Sequence, residues 1–215
     1  MFNNLLNNFD LIYMLLTIPG LLVGFVFHEF AHAITADRLG DPTPRSQGRI
    51  TLDPRSHIDI IGFIVMLIAR FGWAKPVMTN PKYYKKPRRD DILVSIAGPV
   101  MNLLIAIVFL FLLKLYGLSG LFTDNQALWD NVYMLLYITA RINVVLFVLN
   151  MIPFPMFDGY HVISNIFNTW RYRFFNLLEQ YGMFIFILLA ISGFLGRIIL
   201  PIVNIVFGFL ANIIF

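Results

Sequence analysis

The chain has 215 residues, of which 59% are hydrophobic and only 13% are charged, against roughly 25% charged in ordinary soluble domains. This composition excludes an ordinary soluble protein and indicates an integral membrane protein. The lack of cysteine excludes disulfides and thiolate ligands. The net charge of +4 does not indicate nucleic-acid binding, because eleven of the sixteen Lys and Arg residues fall between Arg38 and Arg89, where they report membrane topology.

The first predicted membrane helix covers about Leu11 to Ala36 and has neither the basic start nor the cleavage site of a signal peptide. A polar loop rich in Arg, Pro and Gly follows and is interpreted as cytoplasmic. The next apolar run, Ile58 to Ala69, is too short for a hydrocarbon core that takes roughly 20 helical residues. The following segment, Arg70 to Asp91, is the most basic in the chain. Basic flanks on both sides favour a re-entrant or interfacial segment, and a short tilted crossing stays open.

Two long apolar segments come next, from Ile92 to Gly117 and from Val132 to Asn150. The loop between them has no Lys or Arg, which is typical of an outer loop. Pro153 and Pro155 interrupt the chain after the second segment, and non-helical backbone at that depth is tolerated only inside protein or beside a wet cavity. The tail from Leu177 to Phe215 is too long for one helix and is expected to break at "SGFLGR". The sequence therefore predicts an all-α polytopic membrane protein with about five or six transmembrane or re-entrant helices.

The stretch "HEFAH" places His28, Glu29 and His32 inside the first apolar helix. The two histidines are four residues apart, about 40° around a helix and about 6 Å along it, so both imidazoles can face one ion. Glu29 then lies beside that ion as a general base. The alternative is a polar trio satisfied by hydrogen bonds between helices, which would place three costly residues in an apolar segment for packing alone.

A catalytic zinc site normally has three protein ligands, and the predicted third ligand is Asp158. It follows the Pro-interrupted end of an inward-running helix, at a depth similar to that of His28 and His32. Gly159 beside it permits a close backbone turn. The alternative role for Asp158 is capping of the helix that begins at "GYHVISNIF".

Five further polar residues are weaker candidates. His57 and Asp53 lie in the polar "TLDPRSHID" loop, where a hydrogen-bonded or surface role is at least as consistent as metal binding. His161 could reach the same cavity, but a supporting role beside the site is favoured over direct metal contact. Asn150 and Asn102 could bond between helices or position a substrate carbonyl or its oxyanion.

Three motifs together resemble the site-2 proteases, a family of intramembrane zinc metalloproteases: "HEFAH", "SIAGPVMN" and "NMIPFPMFDG". The segments "ITLDPRSHID" and "FGWAKPVMTNPKYYKKPRR" further resemble the compact bacterial branch of this family, without a PDZ or CBS domain. The sequence departs from that branch at Asp53, where an Asn is common. Because the chain resembles a branch without these domains, regulation through a PDZ or CBS domain is not expected.

The resemblance implies one Zn²⁺ per chain, held by His28, His32 and Asp158. It also implies that Glu29 is the catalytic base and that Asn150 assists the substrate or transition state. The polar segment after the first helix is expected to form a short membrane-associated β or loop region, with strands that pair with an extended substrate.

The sequence thus predicts a zinc metalloendopeptidase that cleaves membrane-protein substrates within or near their transmembrane segments, in regulated intramembrane proteolysis. A single domain over residues 1–215 is expected, with a catalytic core at about 11–165 and C-terminal helices at about 177–215. It would lie in a bacterial cell membrane with its active site toward the cytoplasmic side, and the "PKYYKKPRR" run would contact lipid headgroups. The alternatives are a metal transporter or sensor that uses the same cluster, and a scaffold that binds no metal.

Overall fold

The computed structural model describes residues 11–69, 73–118 and 126–215. The first residues of the basic segment, 70–72, and the part of the predicted outer loop at 119–125 lie outside the described residues. Within them the chain forms α-helices and two short 3₁₀ turns, Pro81–Tyr83 and Thr169–Arg171. The helices described are α1 Leu11–Arg38, α2 Thr43–Ser46, α3 Pro54–His57, α4 Ile60–Ala69, α5 Pro87–Leu118, α6 Gln126–Asn150, α7 Asp158–Phe167, α8 Arg173–Ile191 and α9 Phe194–Ile214.

Five of these helices, α1, α5, α6, α8 and α9, are long and apolar enough to cross a membrane. This confirms the all-α polytopic class. Helix α5 begins at Pro87, five residues before the predicted start, because proline fits the first helical turn, where its missing N–H costs nothing. The predicted break in the tail is present: Gly193, with φ of 72°, separates α8 from α9.

Helices α1, α5 and α6 pack closely and carry the polar residues of the site. A Cβ added to Gly20 on α1 would lie 3.0 Å from the Thr139 Cα on α6, so the two backbones nearly touch. Helix α9 packs against the other side of α5 and α6, where its residues Ile199 and Val203 join a buried apolar cluster. This packing fixes the relative depths of α1, α5 and α6.

The chain folds back on itself around α4. The Lys75 N–H donates to the His57 carbonyl at 2.9 Å, and a Cβ on Gly62 would meet the Trp73 carbonyl oxygen at 2.3 Å. The residues before and after α4 therefore lie side by side, so both flanks are on the same face of the molecule. This geometry favours the re-entrant interpretation over a crossing. Ile60, Ile61 and Ile64 are exposed on α4, as expected of a segment that dips into lipid.

The strands implied by the family resemblance are not found in the described residues. The polar segment after α1, residues 39–57, forms α2, α3 and loops. Residues 74–80 have no regular secondary structure, and their backbone is held mainly by side chains. Arg49 donates to the carbonyls of Lys75 and Pro76, and Pro76 has no N–H to offer a neighbouring strand. The predicted β or loop region is therefore a loop region in the described residues.

Candidate metal centre

His28 and His32 come together on one face of α1, one helical turn apart. Their Nε2 atoms lie 3.0 Å from each other, and both residues are buried. A spacing of four residues brings two side chains to the same face of any α-helix. The local part of this arrangement follows from the sequence alone.

The partners of the other ring nitrogens decide which nitrogen of each histidine carries its proton. His28 Nδ1 lies 2.7 Å from Asn102 Oδ1, and His32 Nδ1 lies 2.8 Å from the Val94 carbonyl oxygen. Both of these oxygens can only accept, so each Nδ1 carries the hydrogen. Each neutral imidazole therefore presents an unprotonated Nε2, the form that binds a metal.

The orientation of the Asn102 amide follows from its own contacts. Its Nδ2 donates to the Gly24 carbonyl at 3.0 Å and to Asn143 Oδ1 at 3.1 Å. A carbonyl can only accept, so the amide nitrogen must face Gly24 and the amide oxygen must face His28. Asn102 is fully buried on α5, and it links α1, α5 and α6 while it holds the imidazole of His28.

Asp158 reaches both histidines from the first turn of α7. Its Oδ2 lies 3.2 Å from His28 Nε2, and its Oδ1 lies 3.4 Å from His32 Nε2. The N-cap position of α7 belongs to Phe157, so Asp158 does not have the capping role that was its alternative. A Cβ on Gly159 would lie 2.5 Å from the Met151 carbonyl oxygen. Glycine therefore lets α7 start directly against the end of α6.

These three side chains fit a zinc ion. Ligand atoms of a tetrahedral zinc site with bonds of about 2.0–2.1 Å lie roughly 3.3 Å from one another, close to the measured 3.0, 3.2 and 3.4 Å. Asp158 Oδ2 is buried and accepts no hydrogen bond, and the two unprotonated nitrogens would repel each other unless a cation stood between them. Within the described residues, His28, His32 and Asp158 form the one group of three with ligand atoms close enough to share a metal.

Gly98 on α5 leaves open the space in front of the imidazoles. A Cβ at this position would lie 2.3 Å from His32 Nε2 and 2.7 Å from His28 Nε2, so any side chain would stand where both nitrogens point. The motif "SIAGPVMN" contains Gly98, but the sequence did not predict this role for it. The signal available was a glycine one turn before Asn102 in a mostly apolar helix.

Glu29 lies next to the histidines and faces a cavity. The Val77 N–H donates to Glu29 Oε2 at 2.9 Å, and Glu29 is buried. The cavity is about 260 Å³ in volume, and its wall includes the three candidate ligands, Glu29 and residues of the loop at 74–80. Such a carboxylate can accept a proton from a water molecule in the cavity.

The other candidates divide between the cavity and the loops. Asn150 and His161 line the cavity. Asn102 forms hydrogen bonds between helices and does not position a substrate carbonyl, because its amide already bonds His28, Gly24 and Asn143. His57 is fully buried, with Nε2 on the Thr51 carbonyl at 2.7 Å. Asp53 is the N-cap of α3, so neither loop residue joins the metal group.

Comparison with known proteins gives the family. Residues 16–120 and 115–193 match the model of Peptidase family M50. Relatives named "Putative zinc metalloprotease" include YwhC of Bacillus subtilis, 38% identical over 89% of this chain and 86% of that protein. They also include Rip2 of Mycolicibacterium smegmatis, 31% identical over 85% and 69%, and MJ0611 of Methanocaldococcus jannaschii, 27% identical over 73% of each. No solved structure gives a significant match. This chain belongs to peptidase family M50, the site-2 protease family, and is a multi-pass membrane zinc metalloprotease.

Proposed function

We propose that this zinc metalloprotease hydrolyses peptide bonds within or next to transmembrane segments of membrane proteins, as in regulated intramembrane proteolysis. We also propose that His28, His32 and Asp158 hold its zinc. The observation that carries the proposal is the convergence of three ligand atoms on a cavity beside Glu29, among helices long enough to span a membrane. A peptide reaches such a cavity most directly from the membrane or its boundary.

Glu29 acts as the general base in this proposal. Bound zinc supplies a Lewis acid that activates water and polarises a peptide carbonyl. The Val77 N–H occupies Oε2 of Glu29, so Oε1 is the oxygen that accepts the proton of the attacking water. The same carboxyl group then gives the proton to the leaving amine.

Asn150 binds the substrate in this proposal. It lines the cavity at the end of α6, and its amide can donate to the carbonyl oxygen of the scissile peptide as negative charge develops there. A helical substrate keeps its carbonyls in internal hydrogen bonds, so the segment to be cut must first unwind. Substrates with helix-breaking residues near the cleaved bond are therefore expected to be cut faster.

We propose that the site faces the cytoplasmic side of a bacterial cell membrane. His28 precedes the end of α1 at Arg38 by about 15 Å of helix, and most of the basic residues lie in the segments that follow α1. The positive-inside rule assigns these segments to the cytoplasm. Membership of a peptidase family argues against the metal-transport alternative.

The decisive experiment compares wild type, Glu29→Gln and Glu179→Gln on a panel of single-span membrane substrates and on an unfolded soluble protein. Glu179 is the only other glutamate of the chain, and glutamine there can still accept from the Tyr160 hydroxyl. Glu29→Gln should keep about one zinc per chain. It should lose cleavage by about 10²–10⁴-fold, because an amide cannot accept the proton.

Glu179→Gln should cleave like wild type. Cleavage by Glu29→Gln at a near wild-type rate would remove Glu29 as the base. Cleavage of the soluble protein with no cleavage of any single-span substrate would refute the proposed substrate class.

A further inference from the structure

Two charged residues outside the metal group, Arg49 and Asp41, are buried in the polar region after α1. Arg49 is 6% exposed and Asp41 is 0% exposed. Burying a charge is expensive unless hydrogen bonds satisfy it. In both cases the described hydrogen bonds go to the backbone of neighbouring segments, and both residues bond the loop at residues 74–80.

Arg49 holds the beginning of that segment. Its guanidinium group donates to the carbonyl of Lys75 at 3.3 Å, to that of Pro76 at 2.9 Å and to that of Ser56. A planar guanidinium with five N–H groups can serve three carbonyls at once, which an ammonium group cannot do in the same geometry. Arg49 thereby joins the end of α3 to the start of the loop at residues 74–80.

Asp41 holds the other end. Its Oδ2 accepts from the Asn80 N–H at 2.6 Å, and its Oδ1 accepts from the Thr43 N–H at 2.9 Å. Hydrogen bonds to a charged acceptor are short and roughly twice as strong as neutral ones. The two buried charges thus hold the segment on both sides of Val77.

Between these anchors lies the amide that contacts Glu29. The Val77 N–H donates to Glu29 Oε2 at 2.9 Å, and Pro76, Val77 and Thr79 line the cavity. We propose that Arg49 and Asp41 are positioning residues, which hold the loop at residues 74–80 so that the Val77 amide fixes the Glu29 carboxylate toward the cavity. The inference rests on the proposed role of Glu29 as the base. A displacement of about 1 Å in a catalytic group can cost about 10²-fold in rate.

The hydrogen bonds from Arg49 and Asp41 to residues 75–80 are called the clamp. The first test measures how firmly the clamp holds these residues and needs no substrate. Hydrogen–deuterium exchange of peptides that cover residues 75–80 is compared in wild type, Arg49→Gln and Asp41→Ala. Arg45→Gln and Asp130→Ala are the matched controls, because Arg45 pairs with Asp37 at the surface and Asp130 is exposed on α6, where it accepts from Gln126. Exchange should be at least about tenfold faster in the two clamp variants and unchanged in the controls. Unchanged exchange in both clamp variants would overturn the inference.

The second test separates positioning of the base from general support of the structure. Arg49→Gln should keep the zinc content of wild type and its KM, and lose about 10²-fold in kcat. In a Glu29→Gln background the same substitution should lower the residual rate no further, because the group that it positions is already gone.

Loss of zinc, a change confined to KM, or an equal additional loss in the Glu29→Gln background would each overturn the positioning role. Arg49→Lys is the second variant and replaces Arg49→Gln if that protein does not fold. Its kcat should be below that of wild type, because lysine lacks the planar fork, and above that of any folded Arg49→Gln protein. A wild-type protein that cleaves no peptide would refute the proposed function, while the exchange result would still decide whether the clamp exists.

Discussion

Replacement of Gly98 by alanine tests the metal centre with a single methyl group. The added Cβ would lie 2.3 Å from His32 Nε2, whereas real Cβ atoms essentially never approach another atom closer than 3.0 Å. Either His32 Nε2 or α5 would have to move by about 0.7 Å to reach even that limit. Zinc sites tolerate about 0.2 Å in their ligand distances, so the displacement is several times larger than the site allows.

The expected result of Gly98→Ala is a loss of zinc without a loss of fold. Alanine inside a helix is more favourable than glycine by about 0.5–1 kcal/mol, so α5 itself has no reason to unfold. We expect zinc affinity to fall by about 100-fold or more, at or beyond the upper end of what supporting residues cost when they are removed.

The assay is metal analysis of purified protein, with and without a competing chelator, together with circular dichroism. Gly117→Ala is the matched control, because it lies on the same helix and a Cβ there meets nothing within 4 Å. It should keep wild-type zinc content. The reasoning would be refuted by a Gly98→Ala protein that holds one zinc per chain and resists a chelator like wild type. That result would mean that the metal does not occupy the space in front of the two histidines.

Three further predictions follow from the same contacts. Asn102→Ala should lower zinc affinity about 10–100-fold, measured by chelator competition, because His28 Nδ1 loses its acceptor; wild-type affinity would mean that this hydrogen bond does not orient the ring. Asp158→Ala should lower zinc occupancy strongly in elemental analysis, since it removes one of three ligands, and full occupancy would take Asp158 out of the site. In a chain without cysteine, Ser46→Cys and Lys82→Cys should both react with an impermeant thiol reagent from the cytoplasmic face and Gln126→Cys from the outer face; labelling of Ser46→Cys and Lys82→Cys from opposite faces would contradict the bond between His57 and Lys75.

The sequence by itself determined the features that depend on local periodicity and composition. Apolar segments of sufficient length predicted the long helices, and a spacing of four placed His28 and His32 on one face of α1. Asp158 was predicted as the third ligand because it follows the Pro-interrupted end of an inward-running helix, at a depth similar to that of the two histidines. In each case the information lies within one helix or in the order of segments, which a chain carries before it folds.

Contacts between distant segments were decided only by the tertiary structure. The apolar run of α4 is compatible with a crossing or a re-entrant segment, and the hydrogen bond from Lys75 to His57 favours the re-entrant segment. The Val77 amide on Glu29 joins residues 48 positions apart. Neither residue type nor periodicity encodes such a pairing, because any backbone N–H can donate to any carboxylate that packing brings within reach. The tautomer of His28 likewise depends on Asn102, 74 residues away, since either ring nitrogen can carry the hydrogen until the fold supplies an acceptor to one of them.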